Sequence, residues 1–233
     1  MVGRWQVPDV ADVRRDARGD AGDARSVGGA GSAGDAGVGS AGNADVGSAG
    51  DAGNAGGTGD AGRAARAAVV VRLATLADID AVSVIESAAF ADPWPAEAFQ
   101  AQLARSVVWF AVAELHDEVV GYVVEIVVGD EAEIANIAVG SEYRGLGIGA
   151  KLLDSALHES QARGVESVYL EVRESNTAAR RLYASRRFSK IGRRSGYYRN
   201  PPEDAIVLRR SLVPADLRVA TDASPQDGEL RGA

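Results

Sequence analysis

Cysteine is absent from the 233 residues, and histidine occurs only at His116 and His158. The first absence excludes disulfides, thiolate metal sites and a cysteine nucleophile. The second leaves too few imidazoles for a histidine metal cluster or a Ser-His-Asp arrangement. No apolar run approaches the ~20 residues that span a bilayer. The N-terminus, Met-Val-Gly-Arg-Trp followed by Asp9, Asp12 and Asp16, lacks the apolar region of a signal peptide. A cytoplasmic protein without a membrane partner is expected, acidic overall at a net charge of −8. Glycine is missing between Arg63 and Val120, whereas 17 of the 28 glycines lie in the first 68 residues. That first stretch holds one aromatic, Trp5, and almost no Leu, Ile or Phe. It cannot bury enough apolar surface to offset its conformational entropy.

Three parts are therefore expected: a disordered Gly/Ala/Asp-rich tail at 1–67, one cored domain at 68–213, and a frayed end at 214–233. The tail repeats about every eight residues, Gly31-Ser-Ala-Gly-Asp-Ala-Gly returning near Gly39 and Gly47. This is the wrong spacing for collagen and lacks the large apolar residue of a calcium-binding repeat. A tether, a solvated tail and an upstream artefact of gene prediction all fit it, and the domain is expected to fold without it.

Within the domain, Val69 to Ala74 reads as a strand. Thr75-x-x-Asp78 opens a helix whose apolar stripe is Leu76, Ile79, Val82, Ile85 and Ala89. Pro95 suits the first position of a second helix, reaching about Arg105. Val107–Leu115 and Val119–Val128 form a hairpin around His116-Asp-Glu. Gly129-Asp130 turns into a strand from Glu131 to Val139. A glycine loop leads to a helix from Ile148 to Arg163, stopped by Gly164. A strand from Val165 to Val172, a helix from Ala178 to Ser185 and two strands, Phe188–Arg193 and Ala205–Leu212, complete the order. It implies an α/β fold, a mixed sheet with helices on both faces.

The loop Arg144-Gly145-Leu146-Gly147-Ile148-Gly149, followed by Ala150, sits between strand and helix. Small residues there let amide groups and the helix's positive end approach a phosphate, or simply make a tight turn. Gly145-x-Gly147-x-x-Ala150 formally meets a relaxed dinucleotide fingerprint, with Glu171 near the end of the next strand. The loop comes too late in the domain for that fold, which offers it after the first strand. Gly-Lys-Ser/Thr is absent, so the loop is not that of a P-loop NTPase.

Asn136-Ile-Ala-Val139 and the loop beginning at Arg144 resemble the acetyl-CoA-binding motif of the GNAT superfamily of N-acetyltransferases. Phe90-x-x-Pro93-Trp94, Tyr169-Leu-Glu-Val-Arg173, Ser175-Asn176, Leu182-Tyr183, Tyr197-Tyr198 and Glu203-Asp204-Ala205 extend the resemblance to the bacterial ribosomal-protein alanine N-acetyltransferase branch. It implies a mostly antiparallel, splayed sheet of about seven strands flanked by four helices, with acetyl-CoA as co-substrate and no metal. The acceptor it implies is a protein N-terminus, that of a ribosomal protein, with no direct nucleic-acid function. Residue by residue, Glu171 is the implied general base and Tyr183 the proton donor to the coenzyme A thiolate. The amides of Ile137, Ala138 and Val139 are implied to hold the pantetheine arm, residues 144–150 the phosphates, and Asn176 the cofactor by a hydrogen bond. Phe90, Trp94, Tyr197 and Tyr198 are implied to shape the acceptor pocket.

Each assignment has an ordinary alternative. Glu171 also reads as a solvated strand end, Tyr183 as a core tyrosine, Asn176 as a helix cap, and Phe90 and Trp94 as packing between the first two helices. The nine basic residues from Arg173 to Arg199, with only Glu174 against them, also read as a solvated face. Arg187 stands where the family has a glycine to end the helix of Tyr183, a left-handed position that costs arginine about 1 kcal/mol. Acetylation of a small amine or of lysine, and a dinucleotide- or CoA-sensing module without turnover, are the rival readings.

Overall fold

The structure, a computed structural model, describes residues 69–213, so the expected tails and the eight-residue repeat lie outside the described residues. Strand β1 (Val70–Leu73) runs into a single 3-10 turn, Leu76–Asp78, and then helix α1 (Ile79–Ala89). The Asp78 carboxylate accepts from the Thr75 amide at 2.7 Å and its hydroxyl at 2.9 Å, closing the expected start box. Ile79, Val82 and Ile85 are buried, but Leu76 is 70% exposed. Leu76 belongs to the tighter 3-10 turn, so it falls out of the 3.6-residue stripe that continues in α1. Pro95 caps helix α2 (Ala96–Leu103) from outside rather than opening it.

Strands β2 (Val108–Leu115) and β3 (Glu118–Val128) are joined by His116 and Asp117, both at positive φ, 51° and 63°. Two consecutive left-handed residues make the turn whose twist matches that of the flanking strands. Strand β4 (Glu131–Val139), helix α3 (Ile148–Ala162), strand β5 (Ser167–Arg173), helix α4 (Thr177–Ser185) and strands β6 (Ser189–Arg199) and β7 (Pro202–Ser211) follow. The last two are longer than their apolar runs suggest. Most of β6 is exposed as an edge strand, and its polar residues do not alternate. Arg187 adopts φ 63°, and the Phe188 amide donates to the Tyr183 carbonyl at 3.1 Å. The arginine thus takes up the left-handed helix end expected of a glycine.

Among the described residues the sheet has the order β1-β2-β3-β4-β5-β7-β6, antiparallel except where β4 meets β5. This is the splayed GNAT architecture. Helices α3 and α4 cover one face, where Leu152, Leu153, Leu170 and Tyr183 join one core. Helices α1 and α2 cover the other, packing Phe99, Phe110 and Tyr122. The parallel pairing of β4 with β5 covers only Glu131–Glu133 against Ser167–Tyr169. Beyond it the two strands pair only with their outer neighbours, leaving a V in the middle of the sheet. In β4 the register against β3 slips between Ile134 and Asn136, a bulge of the kind that re-aims side chains.

Behind the sheet, Glu125 of β3 is fully buried and accepts from the Ser160 hydroxyl of α3 at 2.5 Å. Burial pushes its carboxyl up to about 8. A carboxyl raised in the folded state holds its proton longer there than in the unfolded chain. Stability therefore falls as pH rises from about 4.5 to about 8. Glu125→Gln removes this titration, so the variant is expected to lose several degrees less in Tm than the parent between pH 5 and pH 8. Melts in the two buffers check it, and an equal loss in both proteins counts against a buried, titrating Glu125.

Candidate active site

The glycine loop is built as an anion cradle would be. Gly145 and Gly147 both take positive φ, 76° and 81°, and Gly147 caps α3 without a side chain. A Cβ at Gly145 would meet nothing within 4 Å, so its backbone faces open space. The first bond inside α3 runs from the Lys151 amide to the Gly147 carbonyl at 3.1 Å. The amides of Ile148, Gly149 and Ala150 therefore precede the helical ladder, at the end where the helix dipole is positive. Arg144 turns back and donates to the Val139 carbonyl at 3.4 Å.

The inner edge of the V is β4. The Gly140 amide donates to the Val120 carbonyl of β3 at 2.9 Å. Amides alternate in direction along a strand, so that of Ala138 also faces β3, and those of Ile137 and Val139 face the V. The expected run of three consecutive donors is corrected to two.

Glu171 enters from β5. It alternates with Leu170 and Val172 of the α3 core, so it faces the α1 side. It is 4% exposed, its carboxyl raised by burial and pulled back by Arg194, whose guanidinium lies 3.4 Å away. Glu133, last in the parallel register, faces the same side and is 1% exposed. Among the described residues neither of its carboxylate oxygens meets a hydrogen-bond donor. Burial, then the Glu171 charge, pushes it well above the usual carboxylate range, and Arg194 opposes both. Two carboxyls and one guanidinium thus share a buried pocket.

Tyr183 arrives from the opposite face. It is fully buried against Phe188, rings 5.8 Å apart, and among the described residues its hydroxyl has no hydrogen-bond partner. Burial raises its pKa far above the ordinary phenol value, so it stays a neutral O–H donor. Tyr198 of β6 lies close enough to feel both Glu171 and Tyr183, and the Arg173 guanidinium stacks on its ring at 4.1 Å. Tyr197 packs edge-on to it at 5.1 Å. Asn176 caps α4, its Oδ1 accepting from the Ala179 amide at 2.9 Å.

Phe90 is half-buried and Trp94 is 7% exposed, its ring against Phe99 of α2 at 5.4 Å. Its amide donates to Glu86 at 2.8 Å. Sequence reasoning gives Glu86, Glu133 and Arg194 no role of their own, and Asn136 only a place at the head of the motif. The signals were there: Glu86 lies four residues from Val82 and seven from Ile79, on the apolar stripe. Glu133 interrupts a strand buried on both faces. Within the basic run Arg173 pairs with Glu203, Arg186 with Asp154, Arg193 with Glu174 and Asp204, and Arg194 with Glu171. Only Glu174 of these acids falls inside the run.

A cleft of about 740 Å³ lies between α3 and the β1 edge of the sheet, lined by Val71, Trp109, Leu146, Gly147, Lys151 and His158. Glu171 and Tyr183 do not line it, so it is separate from the V. No helix among the described residues is long and apolar enough to cross a membrane. A dinucleotide fold is overturned, because the strand before the loop pairs antiparallel with β3 and the described sheet has a single parallel pair.

A sequence profile of the acetyltransferase (GNAT) family matches residues 79–188. A putative ribosomal protein bS18-alanine N-acetyltransferase of Bacillus subtilis is 35% identical over 139 residues, 59% of this chain and 92% of the relative. An uncharacterized protein of Mycobacterium leprae is 39% identical over 142 residues, 58% of this chain, which thereby spans 39% of that protein's length. The crystal structure of the ribosomal-protein-S18-alanine N-acetyltransferase from Escherichia coli superposes with a TM-score of 0.59 at 32% identity, over 63% of this chain and 96% of that one. A relative matched over nearly its whole length, a splayed sheet and a left-handed glycine loop after β4 lead to one conclusion: the chain belongs to the GNAT family of acetyltransferases, in the neighbourhood of the ribosomal-protein alanine N-acetyltransferases.

Proposed function

We propose that this protein transfers the acetyl group of acetyl-CoA directly to the α-amino group of a protein N-terminus, the alanine that begins a small-subunit ribosomal protein. The observation that carries the reading is the V between β4 and β5. Open amides, a buried carboxylate and a buried phenol approach it from different elements.

These groups suit the co-substrate. Two amides on an unpaired strand edge, a helix start without a side-chain cap and a partnerless phenol match an extended thioester with a phosphate head. Bound acetyl-CoA supplies an activated acetyl thioester. Ile137 and Val139 donate to its arm and polarise its carbonyl, as oxyanion donors do. The amides from Arg144 to Ala150 hold the phosphates. Asn176, whose Oδ1 caps α4, hydrogen-bonds the cofactor.

An α-amine has a pKa of about 7.7–8.0, so a base of modestly raised pKa suffices. Glu171, raised by burial and steadied by Arg194, accepts the amine's proton. Tyr183 donates its own to the departing sulfur. With no cysteine in the chain, a covalent acetyl-cysteine does not form, and both substrates are held at once. Tyr197 and Tyr198 flank the acceptor, together with the loop from Phe90 to Pro95.

The name carried by the Bacillus and Escherichia relatives supports alanine as the acceptor. A panel of peptides differing only in their first residue tests it. Peptides beginning with Ala are expected to react at least tenfold faster, by kcat/KM, than those beginning with bulky or acidic residues. Equal rates across the panel would remove the alanine assignment.

A further inference from the structure

We propose that Glu86 is a positioning residue that ties the acceptor loop to the acetyl-holding strand, an inference that rests on the function proposed above. Glu86 has no exposed surface and lies where the stripe of α1 calls for an apolar side chain. A buried carboxylate is costly unless donors surround it. Here they come from three other elements. Its Oε1 accepts from the Trp94 amide at 2.8 Å and from Asn136 Nδ2 at 3.2 Å. Its Oε2 accepts from the Tyr122 hydroxyl and from the same Nδ2 at 3.3 Å.

The two ends of this tie are the sides of the reaction centre. Trp94 lies in the loop between α1 and α2 that flanks the acceptor. Asn136 immediately precedes Ile137, whose amide faces the V. The β4 bulge turns Asn136 toward α1, opposite Val124. Among the described residues its Oδ1 is buried without a partner, and the side-chain bonds of Asn136 go to Glu86. A polar cluster serving only the core has no reason to join these two segments. One carboxylate that fixes the loop relative to the strand sets where the amine sits against the thioester carbonyl, and small errors there are expensive in rate.

Glu86→Gln keeps the shape and replaces one acceptor oxygen by an amide donor. The Tyr122 hydroxyl can turn to accept from it, but the Trp94 amide and Asn136 Nδ2, which only donate, are then left to share the one remaining oxygen. The expected result is a KM for the acceptor peptide raised at least tenfold, a kcat changed less than threefold, and an acetyl-CoA Kd within twofold. The exchanged pair, Glu86→Gln with Asn136→Asp, restores a donor opposite an acceptor and should bring KM back to within threefold of the parent. Should Glu86→Gln fail to fold, Asn136→Ala cuts the same tie from β4 and is expected to raise KM alike. Trp94 fluorescence, with Trp5 and Trp109 replaced by Phe, reads the loop without turnover and should shift to the red in Glu86→Gln. Unchanged emission together with unchanged KM, whatever happens to Tm, would overturn the tie. A red shift in a protein whose parent acetylates no peptide would leave the tie standing and overturn the proposed function instead.

Discussion

Replacing Glu171 with glutamine is expected to lower kcat/KM for a peptide acceptor by about 10²–10³-fold near neutral pH, within the range that general bases contribute. The substitution is nearly isosteric, so acetyl-CoA affinity should barely move, whereas loss of the charge facing the buried Arg194 guanidinium is expected to lower the melting temperature. The size of the loss should depend on pH. Below the amine's pKa of about 7.7–8.0 the acceptor is mostly protonated, and a base must take a proton before attack. Above it, neutral amine is abundant and the base matters less. The gap between parent and variant should therefore be widest between the raised pKa of Glu171 and the pKa of the amine, and narrow on either side of that window. In the parent, activity should itself fall as pH drops through the raised pKa of Glu171, because the protonated carboxyl cannot accept. Arg194, at 3.4 Å, holds that fall at a lower pH than burial alone would set. A constant ratio of the two proteins across the profile would remove Glu171 as the base.

Gly147→Val acts on the other substrate. Gly147 sits at φ 81° as the cap of α3. An L side chain there costs roughly 1–2 kcal/mol, and a β-branched one more. Tm is expected to fall by about 3–6 °C. The larger effect is local: a branched side chain stands where phosphates would approach the amides of Ile148, Gly149 and Ala150. Acetyl-CoA should bind at least tenfold more weakly, while the peptide's KM at saturating acetyl-CoA changes little. Calorimetric titration of the folded variant decides it. An unchanged acetyl-CoA affinity would mean that the loop is only a turn.

What could be read from the residues alone, and what could not, divides along physical lines. Local signals carried well: the Thr75–Asp78 start box, the Asn176 cap, the hairpin at His116-Asp117 and the glycines before α3 all depend on near neighbours. Arg187 was legible for the same reason, since the helix end demands a left-handed residue whatever occupies it. The features that make the site depend on register. The pairing of β4 with β5 stops at Glu133, and the bulge turns Asn136 toward α1. No periodicity within one strand announces either. For the same reason Ala138 counted as a third donor until the ladder with β3 assigned its amide. Glu86 and Glu133 were visible as charges in apolar surroundings, but their meaning required knowing which elements face them.

The most direct test is the fate of the acetyl group itself. The protein, acetyl-CoA and two peptides of one lysine-containing sequence, one with a free α-amine and one blocked, are incubated together, and the products are fragmented in a mass spectrometer. One acetyl group on the α-nitrogen of the free peptide, and none on the blocked one, is the predicted outcome. Acetylated lysine in the blocked peptide, or no transfer by a protein that binds acetyl-CoA, would contradict the account.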